Sequence, residues 1–296
     1  MDNALSDSDS QNPFWFFMPM ILRWNIRDLQ ANREELDLLS FNLDPTVICL
    51  QKTLLKENKN TNFKYFSCYH RYASEVNGIV HEGSSVLVKP TTPHRQIKLQ
   101  TGLQAIAIRA TLGKTITVCS IYLPPTKIFN STDLENVIAQ LPPPILLLGD
   151  FNAHSTLRGC SKTDLWKKMI EDLLLKHNLS ILNDGSNTYL HPATGSSSAI
   201  DLSIASPSLY LDFSWEVATD LHGSDHFPIC IHSYTTAPPV TNGTWKLSKA
   251  DWTTFPSKAS SDFGQNYSDN LEDPIEHFTD ILTDIANSTI PKSKLR

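Results

Sequence analysis

Short apolar runs bounded by polar, glycine or proline residues recur along this chain, and between them lie segments whose apolar positions repeat at helical spacing. Met20–Ile26 reads as a first strand, followed by a helix over Leu29–Phe41 in which Leu29, Leu36 and Leu39 share a face. Thr46–Leu50 is a short, fully apolar strand, and Ser84–Val88, Leu103–Ala110 and Thr115–Leu123 follow, the last closed by Pro124-Pro125. Asp133–Gln140 predicts a helix that Pro142-Pro143-Pro144 stops before a buried strand over Ile145–Leu148. Lys162–His177 is amphipathic, with Leu165, Met169, Leu173 and Leu174 on one side. Ser180–Leu182, Ile200–Ala205, Trp215–Ala218 and Pro228–His232 complete the strands. Many strands separated by a few long helices imply an α/β fold in which two sheets pack together under helices.

The pattern weakens at both ends. Phe14–Leu22 is apolar, but acids precede it, Pro19 interrupts it and it falls far short of a span of about 20 residues, so it predicts neither a signal peptide nor a membrane anchor. Thr235–Thr244 is rich in Thr, Pro and Gly and reads as a linker, and Asp273–Asn287 beyond it reads as a weakly amphipathic helix without an evident core. The expected organisation is a lead-in over 1–19, a domain over 20–233 and a connecting tail over 234–296.

Charge and cysteine usage narrow the setting. The formal net charge is −6, yet most of the excess of acids over bases lies toward the termini and leaves the central domain close to neutral, which is compatible with a basic face for a nucleic acid. Cys49, Cys68, Cys119, Cys160 and Cys230 are odd in number and form no CxxC pair, and three of them lie in apolar runs. That usage favours reduced thiols in an intracellular compartment.

Two strings carry the candidate chemistry: Gly149-Asp150-Phe151-Asn152-Ala153-His154 and Gly223-Ser224-Asp225-His226-Phe227-Pro228-Ile229. Each sets acidic and hydrogen-bonding residues where an apolar run begins or ends, as metal-assisted hydrolysis of a phosphate ester requires. Asp150 falls just past a buried strand, either as a turn acid or as a catalytic base; Asn152 shares its side if the backbone stays extended. Asp201, inside the apolar Ala199–Ile204 run, is either an acid on the solvent face of an edge strand or the buried partner of a histidine such as His226. Tyr122 and Asn25 each end a strand and can offer polar groups to a phosphate.

Taken in order, Arg23-Trp24-Asn25, Val47-Ile48-Cys49-Leu50-Gln51, Ser120–Pro125, the Gly-Asp-Phe-Asn string, Asn187–Pro192, Ala199–Leu202 and the Gly-Ser-Asp-His string resemble the endonuclease/exonuclease/phosphatase superfamily. The closest resemblance is to the apurinic-type endonuclease domain of non-LTR, jockey-type retrotransposon polyproteins. Thr244–Leu247 and Lys249–Trp252 resemble the stretch that joins this endonuclease to a reverse transcriptase, so the chain reads as the front of such a polyprotein.

The resemblance implies a four-layer, DNase I-like α/β sandwich and Mg²⁺-dependent hydrolysis of double-stranded DNA, with Mn²⁺ as a substitute ion. Asp150 would activate water; Asn152, Tyr122 and Asn25 would hold the phosphate and the metal surroundings. Asp225 would bind the metal, and Asp201 would orient His226. Thr188 and Ser224 would support the phosphate, and Arg158 would add a charge facing DNA. The nick would prime reverse transcription, with element RNA and the reverse transcriptase as partners, in the nucleus when acting on DNA. The alternatives are a catalytically dead nucleic-acid-binding remnant, or an abasic-site or other phosphodiesterase of the superfamily.

Position 52 departs from the family pattern Leu-Gln-Glu-Thr, whose Glu is the main metal ligand: the chain reads Leu50-Gln51-Lys52-Thr53. An ammonium there turns attraction for a divalent ion into repulsion. Asp28, where glycine is usual, and Arg158, where an aromatic is common, are milder departures.

Overall fold

A computed structural model describes residues 18–57, 63–76, 79–124, 130–152, 162–234, 246–266 and 274–292. The chain divides into two compact units, residues 1–238 and 239–296.

The first unit opens with β1 (Met20–Asn25), α1 (Arg33–Leu43) and β2 (Val47–Gln51). The helix starts four residues later than its periodicity predicts. Asp28 explains the delay, because its carboxylate accepts from the backbone N–H groups of Gln30 and Ala31 and holds that stretch in a turn. Next come β3 (Ser67–Arg71), β4 (Ser74–Val76), β5 (Ile79–His81), β6 (Ser84–Val88), β7 (His94–Ile97), β8 (Gln104–Leu112) and β9 (Lys114–Tyr122). α2 (Ser131–Ile138) starts at an Asn130 capping box with Asp133, and β10 (Ile145–Asp150) follows. α3 (Lys162–Lys176), β11 (Ser180–Ile181), β12 (Tyr189–Leu190), β13 (Ser197–Ser198), β14 (Asp201–Ala205), β15 (Phe213–Val217) and β16 (Ile229–Ser233) complete the unit.

Two six-stranded mixed sheets result, ordered β15-β16-β1-β2-β6-β3 and β11-β14-β10-β9-β8-β7. Alternation along the central strands explains the layers. In the first sheet Ile21, Val47, Cys49, Val86, Ile229 and Ile231 face inward and meet Ile106, Ile108, Val118, Leu146 and Leu148 of the second. The opposite faces carry Leu22, Trp24, Ile48, Leu50 and Leu87 against Leu36 and Leu39 of α1, and Cys119, Ile121, Ile145 and Leu147 against Leu134, Val137 and Leu173 of α2 and α3. This is the α/β/β/α sandwich that the sequence predicts.

Gly149 is required by close approach rather than by an unusual dihedral. A Cβ there would meet the backbone oxygen of Ile121 in the neighbouring strand. Gly149→Ala is expected to cost about 3 kcal/mol and to lower the melting temperature by roughly 6–12 °C, read by circular dichroism.

The second unit contains α4 (Thr254–Asn266) and α5 (Pro274–Thr289). Phe263 stacks on Phe278 with ring centroids 4.8 Å apart, and Ile281, Ile285 and Ile290 are buried. A small core therefore exists where the sequence suggested none. Its first helix went unseen because Ser, Thr, Gly and Lys dilute its apolar face.

Candidate active site at the strand ends

Register sets two facing rows of polar residues. In the second sheet Gln104, Tyr122, Asp150 and Asp201 stand side by side on four adjacent strands. In the first sheet Asn25, Gln51 and Ser84 do the same on β1, β2 and β6. Asp150 is thus the last residue of its strand rather than a turn residue beyond it.

Hydrogen bonds join the rows across the gap between sheets. Asn25 Nδ2 donates to Asp150 Oδ2 at 2.8 Å, Gln51 Nε2 to Ser120 Oγ at 2.8 Å, and Ser84 Oγ to the Gln104 carbonyl at 3.1 Å. Deeper still, Arg23 Nη2 lies 2.6 Å from Asp201 Oδ1, both side chains fully buried.

His226 sits where these links meet. Its Nδ1 is 2.8 Å from Asp201 Oδ2, and its Nε2 is 3.2 Å from Asn25 Nδ2 and 3.7 Å from Asp150 Oδ2. The Asn25 amide can donate one hydrogen to Asp150 and the other to the imidazole, which assigns the neutral ring its proton on Nδ1, facing Asp201. The Trp24 indole N–H fixes the His226 carbonyl at 3.0 Å, and the Tyr189 ring lies 4.8 Å from the imidazole between centroids.

The remaining candidates are placed as follows. Asn152 is not extended: its φ is +48°, its backbone N–H donates to Asp150 Oδ1 at 2.9 Å, and its Nδ2 donates to the Leu123 carbonyl at 2.9 Å. It braces the Asp150 carboxylate instead of projecting in parallel with it. Thr188 and Ser224 are buried with internally engaged hydroxyls; Thr188 Oγ1 accepts from Asp201 N, and Ser224 Oγ donates to the Asn25 carbonyl at 2.7 Å. Asp225 is half-buried, and among the described residues its carboxylate accepts a long 3.5 Å bond from Ser224 Oγ. Lys52 follows Gln51 with φ +53° and is half-buried. Arg158 lies outside the described residues.

Arg23, Trp24, Gln51 and Tyr189 were not singled out by sequence reasoning. Arg23 had a usable signal, an arginine in the middle of an apolar strand, which demands a buried acid.

Electrostatics separates the two acids. Burial pushes Asp150 up to about 6, with His226 partly opposing it. Burial also acts to raise Asp201, but the Arg23 guanidinium and then His226 outweigh it and hold the carboxyl well below the usual carboxylate range. His226 is pulled down by burial, yet Asp201 and Asp150 leave it raised overall. Tyr122 is raised by burial first, then by Asp150, Glu82 and Asp225.

The two acids have opposite linkage. Asp201 binds its proton less tightly folded than unfolded, so it stabilises the fold at neutral pH and loses that contribution as pH falls below about 4. Asp150 binds its proton more tightly when folded, so its ionisation between about pH 4 and 6 subtracts stability. Asp201→Asn strands a buried guanidinium and is expected to cost about 3–5 kcal/mol at pH 7. The melting-temperature gap to the natural chain should narrow toward pH 3; a gap independent of pH would contradict this charge pairing.

Comparison with known proteins follows the same lines. The endonuclease–reverse transcriptase family model matches residues 116–230. The RNA-directed DNA polymerase of the Drosophila melanogaster mobile element jockey is 26% identical over 211 residues, covering 70% of this chain and 23% of that protein. The probable RNA-directed DNA polymerase of the D. melanogaster X-element is 24% identical over 222 residues, 72% of this chain and 24% of that protein. The chain thus spans about a quarter of the length of the curated relatives it matches. Among solved structures, the endonuclease domain of TRAS1, a telomere-specific non-LTR retrotransposon, superposes with a TM-score of 0.58 at 19% identity, covering 74% of this chain and 99% of that one. The 3′-5′ exonuclease NExo of Neisseria meningitidis gives 0.54 at 16% identity, covering 72% and 99%. Residues 116–230 thus match the endonuclease–reverse transcriptase family model, and the fold is similar to that of the endonuclease domain of a non-LTR retrotransposon.

Proposed function

We propose that residues 20–233 act as a divalent-metal-assisted DNA endonuclease that nicks one strand and leaves a 3′-OH from which element RNA is reverse transcribed. The observation that carries this reading is the linked set Arg23–Asp201–His226 beside Asn25–Asp150, assembled from both sheets at one edge. Asp150, with a pKa lifted to about 6, is a carboxylate at neutral pH yet basic enough to take a proton from an attacking water. Asn25 and the Asn152 backbone N–H hold its two oxygens in place. His226, clamped by Asp201, presents Nε2 to the phosphate, where it stabilises added negative charge when protonated. Tyr122 keeps its proton and serves as a hydrogen-bond donor to a phosphate oxygen.

The available donors suit a hard cation in kind, since they are oxygens and include the weakly engaged carboxylate of Asp225. Asp225 and the Asn25 amide oxygen would hold Mg²⁺ or Mn²⁺, which would polarise the phosphoryl group. Lys52 supports a second reading, a nucleic-acid-binding remnant whose catalysis has been lost. Relaxation of supercoiled plasmid separates the two: Mg²⁺-dependent open-circle product that Asp150→Ala removes supports the nuclease. DNA binding without nicking by the natural chain and by Lys52→Glu supports the remnant.

A further inference from the structure

Glu82 is an acid that the site described so far does not use. It lies at the entry to β6, buried, in the left-handed region with φ +75°. A non-glycine residue held there is strained and marks a position that the surrounding structure over-determines. Its backbone is tied to the segment that follows Lys52: Leu54 N donates to the Glu82 carbonyl at 3.0 Å and Thr53 N to the Gly83 carbonyl at 3.1 Å. Glu82 is therefore a next-strand neighbour of the position where the family pattern places its metal-binding Glu.

The carboxylate turns into the gap between the sheets. Glu82 Oε2 accepts from Gln104 Nε2 at 2.9 Å and from Ser74 Oγ at 3.1 Å. Gln104 pairs with Tyr122, and Tyr122 pairs with Asp150, so Glu82 extends the same polar row on the far side of Tyr122. The raised pKa of Tyr122, to which both acids contribute after burial, agrees with that placement. Among the described residues two buried oxygens on the residues around Glu82 and Gly83 have no hydrogen-bond partner, the Gln104 amide Oε1 and the Thr53 hydroxyl. The Thr53 Oγ1 atom stands 2.5 Å from where a Cβ on Gly83 would be, which puts it beside the residue that follows Glu82. Buried polar atoms are nearly always satisfied, and oxygens left open beside a carboxylate-bearing segment are what a hard cation fills.

We propose that Glu82 replaces the carboxylate missing at position 52, and that with Thr53 Oγ1 and Gln104 Oε1 it draws the divalent ion one strand outward from the family position. This rests on the metal-assisted reading above. The chain would then have moved its acid from β2 to the start of β6, with Lys52 left as a charge facing the phosphate.

Mn²⁺ titration of the purified 296-residue chain, followed by the electron paramagnetic resonance signal of free Mn²⁺, tests this apart from nicking. Glu82→Gln is expected to weaken Mn²⁺ binding at least 10-fold, and Thr53→Val about 3-fold, with circular dichroism reporting that the fold is kept. Lys52→Glu placed in the Glu82→Gln background should restore binding. Native Mn²⁺ affinity in folded Glu82→Gln and Thr53→Val overturns the proposal, as does binding that appears only with Lys52→Glu and ignores residue 82. Should Glu82→Gln fail to fold, Thr53→Val and Gln104→Leu decide the matter, and unchanged affinity in both overturns it. Failure of the nuclease reading looks different: Mn²⁺ binding that depends on Glu82 together with no nicking by any variant.

Discussion

Lys52→Glu is expected to raise Mg²⁺-dependent nicking by 10-fold or more and to lower the Mg²⁺ concentration for half-maximal rate by about 100-fold. The reasoning is electrostatic. Two unit charges about 4 Å apart interact by roughly 4 kcal/mol at an effective dielectric of 20, and the exchange turns that term from repulsive to attractive beside a doubly charged ion. Solvent and salt screen a half-buried side chain, so about 3 kcal/mol, or two orders of magnitude in affinity, is the reasonable share. Initial rates of plasmid relaxation across an Mg²⁺ series provide the measurement. A Lys52→Glu chain with the natural Mg²⁺ dependence would show that the ion binds beyond reach of position 52.

Asp150→Ala carries the second large effect, a fall in nicking of about 10³-fold, within the range for loss of a positioned general base. The side chain is buried, holds Asn25 and accepts from Asn152, so its removal also frees the amide that faces His226. Stability needs separate reading, because an ionised Asp150 works against folding at neutral pH. The melting temperature of Asp150→Ala should therefore fall less than loss of two hydrogen bonds alone would suggest. Rate and melting temperature measured on one preparation separate lost chemistry from lost fold.

Strong apolar runs made most of the sandwich legible in the sequence. Thr46–Leu50, Ser84–Val88 and Ile145–Leu148 are buried on both faces, and each emerges as a strand displaced by two residues or fewer at its ends. Ser67–Arg71 and His94–Ile97 were invisible because they are edge strands, with polar side chains and no continuous apolar face. The candidate site was legible as a set of residue types at strand ends, which is why Asp150, Asp201, His226 and Asn25 could be named before any geometry. What the sequence hid was conformation. Asn152 follows a regular strand, and nothing in its neighbours announces a left-handed turn. Glu82 was hidden for a similar reason: its relation to Lys52 exists only through strand pairing, thirty positions away along the chain.

The pairing of the two sheets also has a meaning for the life of the chain. Asn25 and Arg23 come from one sheet, Asp150 and Asp201 from the other, and neither half holds the histidine in place unaided. A nascent or half-folded chain thus carries each component and none of the assembled device. The set of polar contacts around His226 therefore comes into being with the docking of the two layers rather than with the synthesis of any one motif.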